Sequence, residues 1–240
     1  MANMIRLYVD ADLAARQQVV LTRAQAHYLF VVMRQKVGGP VALFNGRDGT
    51  WRAEIVEVGK RAGLLVCQAQ TAPVTPPPDL WLLFAPIKKA RTDFIVEKAT
   101  ELGAARIMPV LTEFTNSERV RQDRLQAHAI EAAEQCGANV VPQVAQARTL
   151  SAVLAEWPAT RRLMFCDEAL AGQGQPKPPE AAEWAILIGP EGGFSTQERA
   201  LIRGLAQTVP ISLGPRVLRA DTAAVAALTL WQVRYGEWWG

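Results

Sequence analysis

Much of the usual catalytic equipment is missing from this chain. Three cysteines, Cys67, Cys136 and Cys166, lie far apart with no CxxC pair, and there are only two histidines. Neither a disulfide framework nor a zinc site is supported, and the thiols read as buried or idle in a reducing cytoplasm. HExxH is absent, as is the GxSxG elbow, and neither His27 nor His128 has an evident nucleophile partner. Without GxGxxG or GxxxxGKS/T, NAD and ATP lose their usual cradle. No stretch of eighteen consecutive apolar residues occurs, and Met1 to Asp10 hold no basic segment followed by a long apolar run. These absences predict a soluble cytoplasmic protein with no metal and no membrane partner.

What the chain does have is apolar mass and an uneven charge. Half of its 240 residues are hydrophobic, enough for one large domain or two ordinary ones. The net charge is only +3, yet residues 1–70 carry 9 Lys and Arg against 5 Asp and Glu, whereas residues 71–240 carry 17 against 18. A basic module beside a near-neutral one suits a unit that grips a polyanion and a unit that does chemistry; a solvated face without a partner explains the charge equally well.

Proline marks the division. Thr71 to Pro78 holds four prolines in eight residues, which favours an extended spacer. The expected organisation is therefore a small domain at 1–72, a linker at 73–79 and a larger domain at 80–240. Before the linker, Arg6 to Val9, Val41 to Phe44, Thr50 to Val58 and Leu64 to Cys67 read as short strands, with Asn45 to Gly49 as a turn. Thr22 and Gln25 can box the start of a helix over Arg23 to Met33. The sum is a mostly β module of small-barrel size.

After the linker, strands alternate with helices. Trp81 to Ala85 precedes a helix from Thr92 to Leu102 that stops at Gly103. Arg106 to Val110 precedes one from about Glu118 to Cys136, with Ser117 as cap and Gly137 as stop. Leu163 to Cys166 and Trp184 to Ile188 are further strands, separated by a Gly/Pro-rich loop, Ala171 to Pro179. Ser195 to Glu198 is a capping box opening a helix to about Ala206, and a strand at Ile211 to Leu213 follows. This alternation predicts an α/β fold with a largely parallel sheet. The last helix, Thr222 to about Trp239, is apolar on nearly every face, with Val225, Leu228, Trp231, Tyr235 and Trp238 at helical spacing. Such a helix is buried in its own core or against a second copy.

Two glycine-bearing loops stand out. Trp184 to Ile188 leads into Gly189-Pro190-Glu191-Gly192-Gly193-Phe194, and Ile211 to Leu213 leads into Gly214-Pro215-Arg216-Val217-Leu218-Arg219. Two such turns can lie side by side at the carboxyl edge of one sheet, where open α/β folds bind ligands. Glycine lets the main chain approach a ligand closely and proline stiffens the turn, though a tight turn without a ligand has the same composition. Glu191, Arg216, Arg219 and Asp221 are the ionisable groups there. Arginine can clamp a phosphate or orient a base edge, or an Arg219 to Asp221 pair can simply hold the loop. The pocket that remains after these eliminations is built largely from backbone and suits positioning more than a covalent intermediate.

The run from Leu187 to Ser195 followed by the run from Ser212 to Ala224 resembles the bacterial ribosomal RNA small subunit methyltransferase E family, of the trefoil-knotted SPOUT class. Further matches are Val96 to Gly103, Ala133 to Gly137 and Leu43 to Gly46, so the resemblance spans nearly the whole chain. It implies an N-terminal PUA-like barrel for RNA and a C-terminal SPOUT domain with a parallel sheet and a trefoil knot, a topology that folding rules would not propose. It also implies S-adenosylmethionine as cofactor, held by Leu187, Ile188, Gly189, Pro190, Glu191, Gly192, Gly193, Leu213, Gly214, Val217 and Leu218. The implied reaction is methylation of N3 of one uridine, number 1498 in the standard count, in 16S rRNA on the 30S subunit, by a homodimer. Where the family often has Thr-Glu after the final arginine, this chain has Ala220-Asp221, a carboxylate kept but shortened.

Removing the N3 proton calls for a base and stabilising the resulting charge calls for a cation. Arg219 is assigned the orienting role, with Glu191 or Asp221 as base. Arg6, Arg34, Arg47, Arg52, Lys88, Lys89 and Arg91 are candidates for contact with RNA, each equally explicable as solvated surface. Rival readings are a knotted methyltransferase acting on ribose 2′-hydroxyls of transfer RNA and a non-catalytic RNA-binding or assembly protein.

Overall fold

The computed structural model describes residues 4–59, 62–116, 120–170 and 183–238. The chain forms two compact units: Met1–Pro76 with Ala133–Val141, and Pro77–Ala132 with Pro142–Gly240. The division at Pro76 falls inside the proline-rich stretch. Residues 133–141 cluster with the first unit, where an uninterrupted second domain from 80 to 240 would not put them. Hydrogen bonds within that unit account for this. The Arg6 guanidinium donates to Ala138 O at 2.7 Å, the Tyr8 N–H donates to Glu134 Oε1 at 2.9 Å, and Asn139 accepts from the Thr75 N–H and donates to Pro73 O.

In the first unit, β1 (Ile5–Tyr8), β2 (Gln18–Val20), β3 (Pro40–Phe44), β4 (Thr50–Val58) and β5 (Gly63–Ala72) form a sheet in the order β1-β3-β4-β5-β2. β1 runs parallel to β3 and the other pairs are antiparallel. β2 is too short for an alternating pattern to reveal it in the sequence. Leu7, Val19, Leu29, Val41, Leu43, Ile55, Leu65 and Cys67 fill the core. The Thr22–Gln25 capping box forms as expected and opens α1 (Arg23–His27). The chain then widens into a π-helical turn at Tyr28–Val32, so the regular helix ends earlier than Met33.

Asn45 holds the β3–β4 turn. It is buried, its Nδ2 donates to Ala11 O and Asp48 Oδ2, and its Oδ1 accepts from the Arg47 and Asp48 N–H groups. The Asn45 amide and the Leu13 N–H hold the Asp48 carboxyl below its usual range.

The second unit contains β6 (Leu80–Phe84), α2 (Lys89–Glu101), β7 (Arg106–Leu111), α3 (Gln122–Cys136), β8 (Gln143–Val144), β9 (Arg148–Thr149), α4 (Leu150–Ala155), β10 (Arg162–Cys166), β11 (Trp184–Ile188), α5 (Thr196–Gly204), β12 (Thr208–Ile211) and α6 (Ala220–Tyr235). α3 runs on into the first unit at its C-terminal end. Among the described residues the sheet has the order β12-β10-β11-β6-β7-β8, with β9 beside β7, and every pairing is parallel. β11 is buried at all five positions, as expected of a strand covered on both faces. Ser195 caps α5 in a full capping box with Glu198. β12 lies slightly earlier than the expected strand at Ile211 to Leu213. α3 begins at Gln122, later than the helix expected from Glu118, with Val120 and Arg121 outside it. Ser117, Glu118, the Ala171 to Pro179 loop and Trp239 lie outside the described residues.

α6 packs against α2 and β11. Ala224, Ala227, Leu228 and Trp231 are buried, Tyr235 stacks on Trp184 with ring centroids 5.1 Å apart, and the buried Gln232 amide donates to Leu102 O. Much of the helix is therefore covered by its own chain, while Val233 stays exposed; the helix ends at Tyr235 and not near Trp239, so the exposed Trp238 lies beyond it.

Asn45→Ala removes four hydrogen bonds from a buried turn. It is expected to destabilise the first unit by about 2–3 kcal/mol, read as a lower urea midpoint at an unchanged m-value.

Candidate active site

Because the strands of the second unit are parallel, their carboxyl ends share one edge, and the loops that follow β10, β11 and β12 meet there. They enclose a cavity of about 190 Å³. Of the residues expected at a cofactor, Ile188, Gly189, Pro190, Glu191, Gly192, Gly193, Leu213, Gly214, Val217 and Leu218 line it. Leu187 does not; it is fully buried among Leu83, Phe165 and Ala185 in the core beneath. Cys166, Asp167, Arg216, Ala220 and Ala223 complete the wall.

The glycines serve different ends. A Cβ on Gly189 would lie 2.6 Å from the Phe194 ring and one on Gly192 would lie 3.2 Å from Phe114, so both are small because of protein neighbours. Gly193 and Gly214 adopt φ of +71° and +112°, which side chains resist. Gly214 also has nothing within 4 Å of a built Cβ, which leaves open space beside its backbone.

Arg91, in the first turn of α2, ties the two loops together. Its Nη1 donates to Glu191 Oε1 at 2.7 Å, and its Nε lies 3.6 Å from Asp221 Oδ2. The two carboxylates nominated as bases thus converge on a cation nominated for RNA. Asp221 is paired with Arg91 and not with Arg219. It stands in the first turn of α6, where the helix dipole favours a negative charge. Its side chain is 20% exposed against 48% for Glu191. Arg219 is the N-cap residue of α6, exposed, with no side-chain capping bond.

Asp167 fastens the floor. Its fully buried carboxylate accepts from Arg199, from Arg203 at 2.6 Å and from the Ala169 N–H at 3.1 Å, while its own N–H donates to Ile211 O. Burial pushes the carboxyl up, but the hydrogen bonds from Arg203, Ala169 and Arg199 outweigh it and the group sits below its ordinary value. Arg199 and Arg203 belong to α5, so Asp167 anchors the helix that follows the first glycine loop. Cys166 is pushed up to about 12 by burial and is no thiolate nucleophile at neutral pH. Asp167 is not among the candidates named from sequence; its position directly after an apolar strand is the signal that could have marked it.

The remaining RNA candidates are distributed over both units. Lys88 and Lys89 are exposed on the second. On the first, Arg34 and Arg52 are exposed and Arg47 pairs with Asp12 at 3.0 Å. Arg6 is committed internally: its guanidinium is hydrogen-bonded to Ala138 O and lies 4.7 Å from the Phe44 ring centre. Desolvation lowers its pKa, countered in part by Cys136 and Glu134. Among the described residues there is no metal-binding group of three His, Cys, Asp or Glu, and no helix is long and apolar enough to cross a membrane.

A parallel sheet with a loop-built cavity at its carboxyl edge, together with a PUA-like β unit, is the architecture of the SPOUT-class RNA methyltransferases among this chain's structural neighbours. Residues 75–232 match the RNA methyltransferase domain family and residues 21–66 the RNA methyltransferase PUA domain family. The chain is 30% identical to ribosomal RNA small subunit methyltransferase E of Rickettsia conorii, over 95% of this chain and 94% of the relative. It superposes at a TM-score of 0.87 and 26% identity on the Neisseria gonorrhoeae enzyme of that name bound to S-adenosylmethionine, covering 98% of this chain and all of the other (100%). A Legionella pneumophila structure described as a methyltransferase with bound cofactor gives 0.91 and 30%, with 98% and 100% coverage. The chain belongs to the ribosomal RNA small subunit methyltransferase E family.

The depressed Asp167 carboxyl contributes stability that is present above the unfolded value, near 4, and is lost as pH falls through its lower folded value. Asp167→Asn is expected to lose about 2–3 kcal/mol at pH 7 and to show a flatter stability profile than wild type below pH ~4 in urea unfolding.

Proposed function

We propose that this protein methylates N3 of uridine 1498 in 16S rRNA on the assembled 30S subunit, using S-adenosylmethionine. What carries the reading is the cavity between the two glycine loops, in a family whose Neisseria gonorrhoeae member is bound to that cofactor. The residues present fit such a ligand. Open space beside Gly214 admits close approach to the backbone, Ile188, Val217, Leu218 and Ala223 offer apolar walls, and Glu191 is the acidic group on the first loop. S-adenosylmethionine supplies an electrophilic methyl group when bound.

The protein's own groups prepare the nucleophile. Uridine N3 carries a proton and lies on the pairing edge, so the base must be exposed, at a few kcal/mol, and the proton removed. Asp221 takes that proton. Glu191 accepts a direct hydrogen bond from Arg91, whereas Asp221 Oδ2 has only the looser 3.6 Å contact with Arg91 and is available, its Oδ1 accepting from the Thr222 N–H. Arg219, exposed beside it, stabilises the negative charge that develops on the uracil oxygens. Ala220, buried in the cavity wall, brings no hydroxyl to this step.

The same reading includes a trefoil knot, a homodimer and a cytoplasmic location. Supporting the knot, the chain leaves β12 at one sheet edge while α6 packs on β11 and α2, so residues 212–219 must cross the ends of β10 and β11. The exposed Val233 and Trp238 offer apolar surface to a second copy. The exposed Arg34, Arg47 and Arg52 of the first unit and Lys88 and Lys89 of the second serve RNA binding, whereas Arg6 is held internally.

Primer extension tests the assignment, since an N3 methyl blocks pairing and stops reverse transcription. 30S subunits from cells lacking the gene should acquire a stop at that uridine when incubated with protein and S-adenosylmethionine; no stop would refute the target. Asp221→Asn and Arg219→Ala should each reduce the rate by about 10²–10⁴-fold, with cofactor binding by calorimetry retained, and Glu191→Gln should have a smaller effect. Neutralising Lys88 and Lys89 together should flatten the dependence of 30S binding on salt; an unchanged slope would remove them from the interface.

A further inference from the structure

β7 ends at the same sheet edge as the glycine loops, and the residues after Leu111 form a turn fastened from several sides. The Thr115 N–H donates to Thr112 O at 3.1 Å, and the Thr112 N–H donates to Thr115 Oγ1 at 2.8 Å. The Glu113 N–H donates to Glu198 Oε1 at 2.8 Å, while Glu198 Oε2 accepts from the Ser195 N–H. One glutamate therefore closes the α5 capping box and holds this turn against it. Phe114 projects from the turn and remains 46% exposed. Its Cβ and ring carbons lie 3.2–3.9 Å from a Cβ built on Gly192, so the side chain rests on the first glycine loop without lining the cavity itself.

A single exposed phenylalanine needs no explanation on its own. This one is different in its mounting: the backbone is bonded on both sides of it, and its seat is the loop residue next to Glu191, which holds Arg91. A flat apolar face thus rests on the glycine loop that carries Glu191, whose partner Arg91 also reaches toward Asp221.

We propose that Phe114 is the stacking surface for the exposed target base. The inference rests on the RNA methyltransferase reading above. A pyrimidine drawn out of an RNA stack loses its neighbours, and an aromatic side chain replaces one of them without regard to sequence. Its place outside the cavity wall suits the base and not the methyl donor. Held on its face by Phe114, the uracil leaves its N3 edge free to turn toward Asp221.

The test uses the full chain and the variants Phe114→Ala, Phe114→Leu and Phe114→Tyr. Tritiated methyl transfer into 16S rRNA of 30S subunits is counted whatever the nucleotide modified, subunit affinity is read by filter binding, and S-adenosylmethionine binding by calorimetry. Alanine and leucine should each lower kcat/KM for the subunit roughly 5- to 150-fold and weaken filter binding. Tyrosine should stay within about twofold of wild type, and cofactor affinity should not change. Leucine separates stacking from packing, because it refills the contact with Gly192 but offers no ring. Wild-type turnover by the alanine variant, rescue by leucine, or a parallel loss of cofactor binding would each overturn the proposal. Methyl transfer to another nucleotide, or none at all, would instead count against the proposed reaction, and filter binding would still rank the variants.

Discussion

Every feature of the site depends on the strands of the second unit running in one direction. Parallel pairing puts the carboxyl ends of β6, β7, β10, β11 and β12 at a common edge and requires each connection to return across a face of the sheet. The strands are then covered on both sides and can be almost wholly apolar, as Trp184–Ile188 is. Functional groups are displaced to the loops, where the backbone needs partners of its own. A cavity walled by main chain is the natural product of that arrangement.

Such loops would be soft without anchors, and charged groups supply them. Asp167 holds Arg199 and Arg203 of α5, Glu198 holds Ser195 and Glu113, and Arg91 spans Glu191 and Asp221. Their burial sorts their roles. Asp167 has no exposed side-chain surface and its carboxylate holds Arg199, Arg203 and the Ala169 N–H, so it fastens the cavity wall to α5. Glu191 and Asp221 keep access to solvent, and their shared arginine is neither buried nor wholly outside; this is where protein contacts can be exchanged for contacts with a substrate. Glycine divides in the same way. Gly189 and Gly192 make room for Phe194 and Phe114, whereas Gly214 faces empty space.

Local chemistry was legible from sequence because it acts over a few residues. The Thr22–Gln25 and Ser195–Glu198 boxes form, Gly103 and Gly137 take the positive φ of helix stops, and β4 and β11 have their expected bounds. Where non-local packing or pairing decides, the reading was less complete. The two-residue strands β8 and β9 exist only through their pairing with β7, and the widening of α1 into a π turn gives no pattern in composition. The turns at Gly189 to Gly193 and Gly214 to Leu218 could be picked out in advance because glycine and proline mark them, while their link to a cofactor came from the family resemblance. That Leu187 belongs to the core could not, since one step along a strand reverses the face a side chain meets.

By itself the sequence determined the alternation of elements, the proline-rich division and the two glycine turns, all written in neighbouring residues. Only the tertiary structure decided that residues 133–141 join the first unit, that Arg6 is bound internally, and that Arg91 stands between Glu191 and Asp221. Those outcomes link positions 64 to 132 residues apart. Their partners are chosen by where the strands and helices deliver them, and no local signal carries that distance.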